Sequence, residues 1–322
     1  MKTKSPLDKK DMLLLYLLDI NGRMSHSKLA RKAGISKQLV KYRIGRLEKN
    51  GLIRGYFAMI DSSKLGYTTF RLYIKFRNVT PDRKKEIIDY LKKQKPIWAV
   101  IVLSGKWDIA AGIAVKDIYG YYDVWEDILR LFLDNIADYK VSVYSPICHY
   151  SKSYLIGKED DLKPRIMGGN MKVAFDDIDI RILSVLSKDA RMPLVKICTR
   201  IKQSAQSVSR RIKQLEKKNI ILGYRAMIDV EKLGYEFYKA EIRLSSYDKI
   251  KKIEYFCQRH PNIYQIDNTI GGETLEIEFH VKSLKQMLLI IEEIELYFGK
   301  MIDWFDYIRV ISEEKTTYMP DT

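Results

Sequence analysis

Ile53-Arg-Gly-Tyr-Phe-Ala-Met-Ile-Asp61 recurs 168 residues later as Ile221-Leu-Gly-Tyr-Arg-Ala-Met-Ile-Asp229, and Lys64-Leu-Gly-Tyr67 recurs as Lys232-Leu-Gly-Tyr235. Extended without a gap, the alignment keeps roughly 25 of the 61 positions from 7 to 67 identical, far above chance. The 322-residue chain therefore reads as a tandem duplication. Between the repeats, residues 156–171 carry Lys158-Glu-Asp-Asp161, a proline and Gly168-Gly169-Asn170, a composition expected of a polar, flexible linker.

Each repeat divides in two. Leu14, Leu15 and Leu18, then Leu29 and Ala33, then Val40, Ile44 and Leu47 have helical spacing, which predicts three short helices. The segments 52–60 and 220–228, rich in Ile, Tyr and Phe, read as extended and predict a small wing or hairpin. Beyond them, strand 69–77, helix 82–94, strands 97–104 and 107–115, helix 117–133 and strand 137–146 follow in the order β-α-β-β-α-β. The second repeat has the same order over about 237–312, so each is expected to form a four-stranded antiparallel sheet with two helices on one face. The fold class is thus α+β: winged helix-turn-helix domains at 1–67 and 172–235, each followed by a ferredoxin-like domain, at 68–155 and 236–322.

The formal charge of +16 is concentrated. Residues 1–67 carry net +10 and residues 171–235 net +7, leaving −1 for everything else. A solubility device would spread its charge, whereas two basic segments mark a polyanion partner. Cys148, Cys198 and Cys257 are far apart and lack ligand spacing, and His26, His149, His260 and His280 are scattered, so no metal, cofactor or catalytic group is expected. No run of 18 apolar residues and no secretory leader is evident, which predicts a cytoplasmic protein without a membrane partner.

Gly34-Ile35-Ser36 separates two helical patterns, with Gly supplying the turn and Ser36 the cap of a helix running to about Lys49. With Val40, Ile44 and Leu47 inward, Gln38, Tyr42, Gly45 and Lys49 point outward, flanked by Lys37, Lys41 and Arg46. Hydrogen-bonding groups near the N-terminal half suit base edges in a major groove of double-stranded DNA, and marginal cations suit phosphates. The second repeat keeps the core as Val208, Ile212 and Leu215, is capped by Ser204, and offers Gln206, Ser209, Arg210, Lys213 and Lys217. Tyr42 is placed either to stack on sugar or to pack on the wing; Arg43 and Arg211 either bind phosphate or brace the fold.

These residues resemble the Lrp/AsnC family of prokaryotic transcription regulators. The resemblance rests on Leu7-Asp8-Lys9-Lys10-Asp11 and Phe175-Asp176-Asp177-Ile178-Asp179, and on the turns Asn21-Gly22-Arg23-Met24 and Asp189-Ala190-Arg191-Met192. It continues through Arg43-Ile44-Gly45-Arg46-Leu47-Glu48, Arg211-Ile212-Lys213-Gln214-Leu215-Glu216 and the Gly-Tyr strands quoted above. It implies sheet domains that dimerise, further self-association, and a small effector, commonly an amino acid. Gly105-Lys106-Trp107-Asp108 matches the family's effector-proximal turn, making Gly105 and Asp108 the candidate effector residues, although an aspartate there also serves a plain turn. The second repeat reads Gly271-Gly272-Glu273-Thr274 and lacks that aspartate. A nucleoid-associated regulator, not an enzyme, is the expectation. The alternative is an enzyme like the siroheme decarboxylases, which share the architecture; their His-Asn-Tyr run is missing, with Trp98-Ala99-Val100 and Tyr264-Gln265-Ile266 at that place and no pocket histidine evident.

Overall fold

The computed structural model describes residues 7–169 and 172–321. In each repeat three helices come first: α1 (Lys9–Ile20), α2 (His26–Ala33) and α3 (Lys37–Lys49), then α6 (Asp177–Lys188), α7 (Leu194–Ile201) and α8 (Ala205–Lys217) in the second. The aspartates of the opening motifs are capping boxes: Asp8 accepts from the Lys10 and Asp11 amides while Asp11 accepts from Asp8, and Asp176 and Asp179 do the same on α6. Leu14, Leu18, Leu29, Val40, Ile44 and Leu47 are buried, as their spacing requires.

The strands after α3 and α8 do not fold back as hairpins within their own repeats. β1 (Ile53–Ile60) pairs antiparallel with β7 (Ile221–Ile228), forming a two-stranded ribbon between the repeats. A lone strand leaves its backbone groups unpaired, and its duplicate is the matching antiparallel edge. The exchange is reciprocal. The Gly22 amide donates to the Tyr224 carbonyl and that of Ala190 to Tyr56, both at 2.8 Å, while the amides of Asp61 and Asp229 donate to Ile220 and Leu52, both at 2.9 Å.

The ferredoxin-like parts merge further. The first comprises β2 (Thr68–Phe76), α4 (Pro81–Lys93), β3 (Ile97–Gly105), β4 (Ile109–Val115), α5 (Ile118–Phe132) and β5 (Ile136–His149). The second comprises β8 (Glu236–Leu244), α9 (Ile250–Arg259), β9 (Ile263–Ile270), β10 (Leu275–Val281), α10 (Leu284–Phe298) and β11 (Ile302–Thr316). β11 pairs with β3 as well as β8, and β5 with β9 as well as β2, so the eight strands close in the order β2-β4-β3-β11-β8-β10-β9-β5 and back to β2. Closure removes the sheet edges. The segment expected to be a free linker instead adds β6 (Arg165–Met167) to the end of β5. Arg165 lies over Gly223, where a side chain would collide with its guanidinium, and donates to the Ile20 carbonyl.

Alternation decides what faces the lumen. Phe70, Leu72 and Ile74 pack beneath the first helices, while Arg71 and Tyr73 turn inward. At the same register the first repeat supplies Ile101, Ala110 and Gly112, and the second supplies Asp267, Glu276 and Glu278. Arg71 bonds Asp267 at 3.0 Å and Glu276; Lys239 bonds Asp267 and, at 3.0 Å, Glu276. Burial, then the Asp267 charge, pushes Glu278 up to about 8.

Candidate nucleic-acid interface

Ser36 and Ser204 are the N-caps of α3 and α8, accepting from Leu39 and Ser207 at 3.1 and 3.2 Å. They orient the first turn of each helix toward solvent. Lys37, Gln38, Lys41 and Tyr42 are exposed on α3, Tyr42 at 66%, so the tyrosine is not packed on the ribbon. On α8, Gln206, Arg210 and Lys213 are exposed and Ser209 is half-buried. The turn before α3 uses Gly34 at φ 63°; its counterpart before α8 is Lys202 at φ 55°, a left-handed conformation that costs a side-chain-bearing residue.

The arginines divide differently from the lysines. Arg43 donates to Asp8 at 2.8 Å and Asp11 at 2.9 Å, and Arg211 to Asp176 and Asp179 at 2.9 and 2.8 Å. Of the two roles open to them, the structure shows the brace: each ties its recognition helix to the capping box of the first helix. Arg46, read from sequence as a phosphate contact, bonds Asp11 at 2.5 Å, and its counterpart Gln214 has no charge to do so. The turn arginines also join the protein to itself. Arg191 donates to the Gly22 carbonyl at 2.6 Å and lies over the Tyr56 ring, and Arg23 lies over Tyr224. On α3 and α8 the cations left for phosphate are therefore lysines, with Arg210.

At the β3–β4 turn the Asp108 carboxylate accepts from the Phe76 amide at 2.8 Å, and Lys75 bonds both Asp108, at 3.4 Å, and the Gly105 carbonyl, at 3.0 Å. Gly105 has φ 117°. The pair thus pins the turn to the end of β2.

A buried charged group between the repeats escaped the sequence reading. Arg225, fully buried, makes a fork to Asp19 at 2.8 and 2.7 Å and reaches the Tyr150 carbonyl at 3.1 Å, while the Lys152 amide donates to Asp19 at 2.9 Å. Burial opposes ionisation of Asp19, but Arg225 and Lys152 hold its carboxyl below the usual range. A signal was present: Arg225 stands opposite Phe57 in the duplicated stretch, and Asp19 opposite Ser187. The expectation of no pocket histidine is also corrected, because His149 and His280, both 3% exposed, line adjoining cavities, the first in the barrel lumen and the second between the barrel and the ribbon. Their scatter in sequence conceals that β5 and β10 carry them to the same end of the barrel.

Two helix-turn-helix units with basic outer faces, carried on paired ferredoxin-like domains, define a DNA-binding regulator. The family model for winged helix-turn-helix DNA-binding matches residues 7–54 and 175–221. The chain is 31% identical over 132 residues to an uncharacterized HTH-type transcriptional regulator of Pyrococcus furiosus, covering 41% of this chain and 85% of that one. It is 31% identical over 111 residues to the HTH-type transcriptional regulator LrpA of Pyrococcus horikoshii, covering 34% and 77%. It is 32% identical over 115 residues to Ptr1 of Methanocaldococcus jannaschii, covering 35% and 74%. The chain belongs to the Lrp/AsnC family of transcriptional regulators, with the family's unit present twice. In fold it is also similar to a solved siroheme decarboxylase, NirDL, with TM-score 0.62 at 14% identity over 98% of this chain and 94% of that one. Among the described residues no helix is long and apolar enough to cross a membrane.

Proposed function

We propose that this regulator acts as a pseudo-dimer within one chain and reads an asymmetric DNA site with unlike half-sites. The Asp19–Arg225 pair carries the reading. Pairing two first repeats from different chains would set Asp19 against Phe57, and pairing two second repeats would set Arg225 against Ser187; either leaves a charge buried without its partner. Only the mixed pairing neutralises both. Its two reading faces differ: Lys37, Gln38, Lys41 and Tyr42 on one, Ala205, Gln206, Ser209 and Arg210 on the other. A two-fold protein reads a two-fold site, and unlike halves remove that symmetry. The test is selection from a random duplex library. Recovery of a perfect palindrome with both halves equally required would refute the mixed pairing.

Further self-association of chains through the ferredoxin-like domains, location with the nucleoid, and response to a small amino-acid-like effector at the Gly105–Asp108 turn belong to the same proposal. Asp108 must then exchange its Phe76 amide for the ligand's amine, so Asp108→Asn should abolish any thermal stabilisation found in an amino-acid panel and leave basal DNA binding intact.

A second reading, a tetrapyrrole-processing enzyme, is favoured by one observation, the buried His149 beside a cavity in this fold. An absorbance scan after incubation with an iron-uroporphyrin decides it. The segregation of positive charge onto the two winged units favours DNA.

A further inference from the structure

The end of the barrel beneath the β1–β7 ribbon is hollow, and the asymmetry of the repeats makes it so. Ala99 and Ala110 of the first repeat leave space where the second carries Gln265 and Glu276, Gly112 admits the Trp98 indole, and a chamber of about 80 Å³ remains, adjoining one of about 160 Å³ that shares Tyr264 and Tyr318. Its walls are rings. Trp98 stacks on Tyr318 at 5.5 Å, and His149 stands edge-on to Tyr318 at 5.8 Å and to Tyr264 at 6.2 Å.

Polar groups in this wall have no hydrogen-bond partner among the described residues. Both ring nitrogens of His149 are buried and unpaired, as are the Trp98 indole nitrogen and Nε of Arg71. Leaving such groups unmatched costs about 1–3 kcal/mol each, so they suit a ligand that supplies their complement. Two of the three side chains can only donate, which calls for a ligand rich in acceptors. The charge around His149 has the matching sign. Arg225, Arg165 and Lys152 lie behind it against the single carboxylate Asp19, while of the two carboxylates that line the chamber Glu313 is paired with Arg54 at 3.6 Å and Glu278 with Lys239 at 3.5 Å. Burial and then Arg225 depress Lys152 to about 8 and Arg165 to about 10, the response of cations short of counter-charge.

We propose that this chamber is an effector site for a small planar aromatic anion of the aryl-carboxylate class, with the ring between Trp98, Tyr264 and Tyr318 and the carboxylate toward His149 and the Trp98 N–H. The site is separate from the Gly105–Asp108 turn, and its regulatory part rests on the DNA-binding reading. Its lever is short. Tyr318 stacks on Phe57 of β1 at 5.0 Å, and an adjoining cavity reaches Ala226 and Met227 of β7, so an occupant touches the ribbon that sets one winged unit against the other.

The test titrates the full chain with benzoate, 4-hydroxybenzoate and indole-3-acetate by calorimetry, with benzamide as the uncharged counterpart. One carboxylate should bind per chain, with benzamide about ten-fold weaker, the size of one charge-assisted hydrogen bond. Trp98→Phe, which keeps a ring and removes the donor, and His149→Phe should each weaken binding by about the same factor while leaving ligand-free DNA affinity and circular dichroism unchanged. Carboxylate at the wild-type Kd should shift DNA affinity of the wild type and leave that of the variants nearly unchanged. The proposal is overturned if none of the carboxylates binds, if binding survives both substitutions, if an iron-uroporphyrin binds in their place, or if bound carboxylate leaves DNA affinity untouched. Calorimetry reports on the chamber without DNA, so a chain that fails to bind DNA sinks the regulator reading separately.

Discussion

Arg225 and Asp19 are a matched exchange within an otherwise repeated interface, where the other half has Phe57 and Ser187. Removing one member should cost about 3–5 kcal/mol, because the other is left charged in a dry site. Arg225→Phe is therefore expected to lower the urea midpoint strongly, and Asp19→Ser with Arg225→Phe to recover only part of the loss, because Lys152 also pairs with Asp19; adding Lys152→Met should recover the rest. Glu278 gives a second expectation. Its carboxyl is raised from 4.5 to about 8, so its neutral form stabilises the fold fully below pH 4.5 and that contribution is lost as pH rises through about 8. Glu278→Gln should accordingly melt higher than wild type at pH 9, by about 2–4 °C per kcal/mol recovered, and show little gain at pH 4.5. Equal shifts at both pH values would contradict the buried-acid assignment.

Among the helices, α3 and α8 share caps and core and differ in what they present. Among the described residues Lys37 and Lys41 have no partner that would hold them to the protein, so replacing both with Ala should reduce the salt dependence of DNA binding by about 2 in log-log slope. Gln38→Ala should instead relax preference at one base pair, costing about 1–3 kcal/mol on the selected site and little on random duplex. Arg43→Leu and Arg211→Leu should act on stability, since both arginines hold capping boxes. The turn before α8 carries Lys202 in a conformation that Gly34 adopts at no steric cost. Lys202→Gly should stabilise the second winged unit by about 0.5–1 kcal/mol, read by thermal unfolding.

Taken whole, the molecule places two unlike readers on one closed barrel, and footprinting of Lys37→Ala with Lys41→Ala should lose protection on one half-site only. Loss on both halves alike would mean that the repeats are not read separately. The duplicated run from Ile53 to Asp61, the helical spacing of Leu14 to Leu47 and the two basic segments were enough to establish the element order, the repeat and the DNA-binding class, because periodicity, capping and charge are local properties. Local properties do not say which chain segment lies across from which. That β1 would take β7 as its partner, that Arg43 and Arg46 would be claimed by Asp8 and Asp11, and that His149 would meet Arg225 and Trp98 at a hollow barrel end all depend on long-range pairing. Burial and counter-charge are set by neighbours distant in sequence, so the chamber and the Asp19–Arg225 lock were decided only when the two repeats closed on each other.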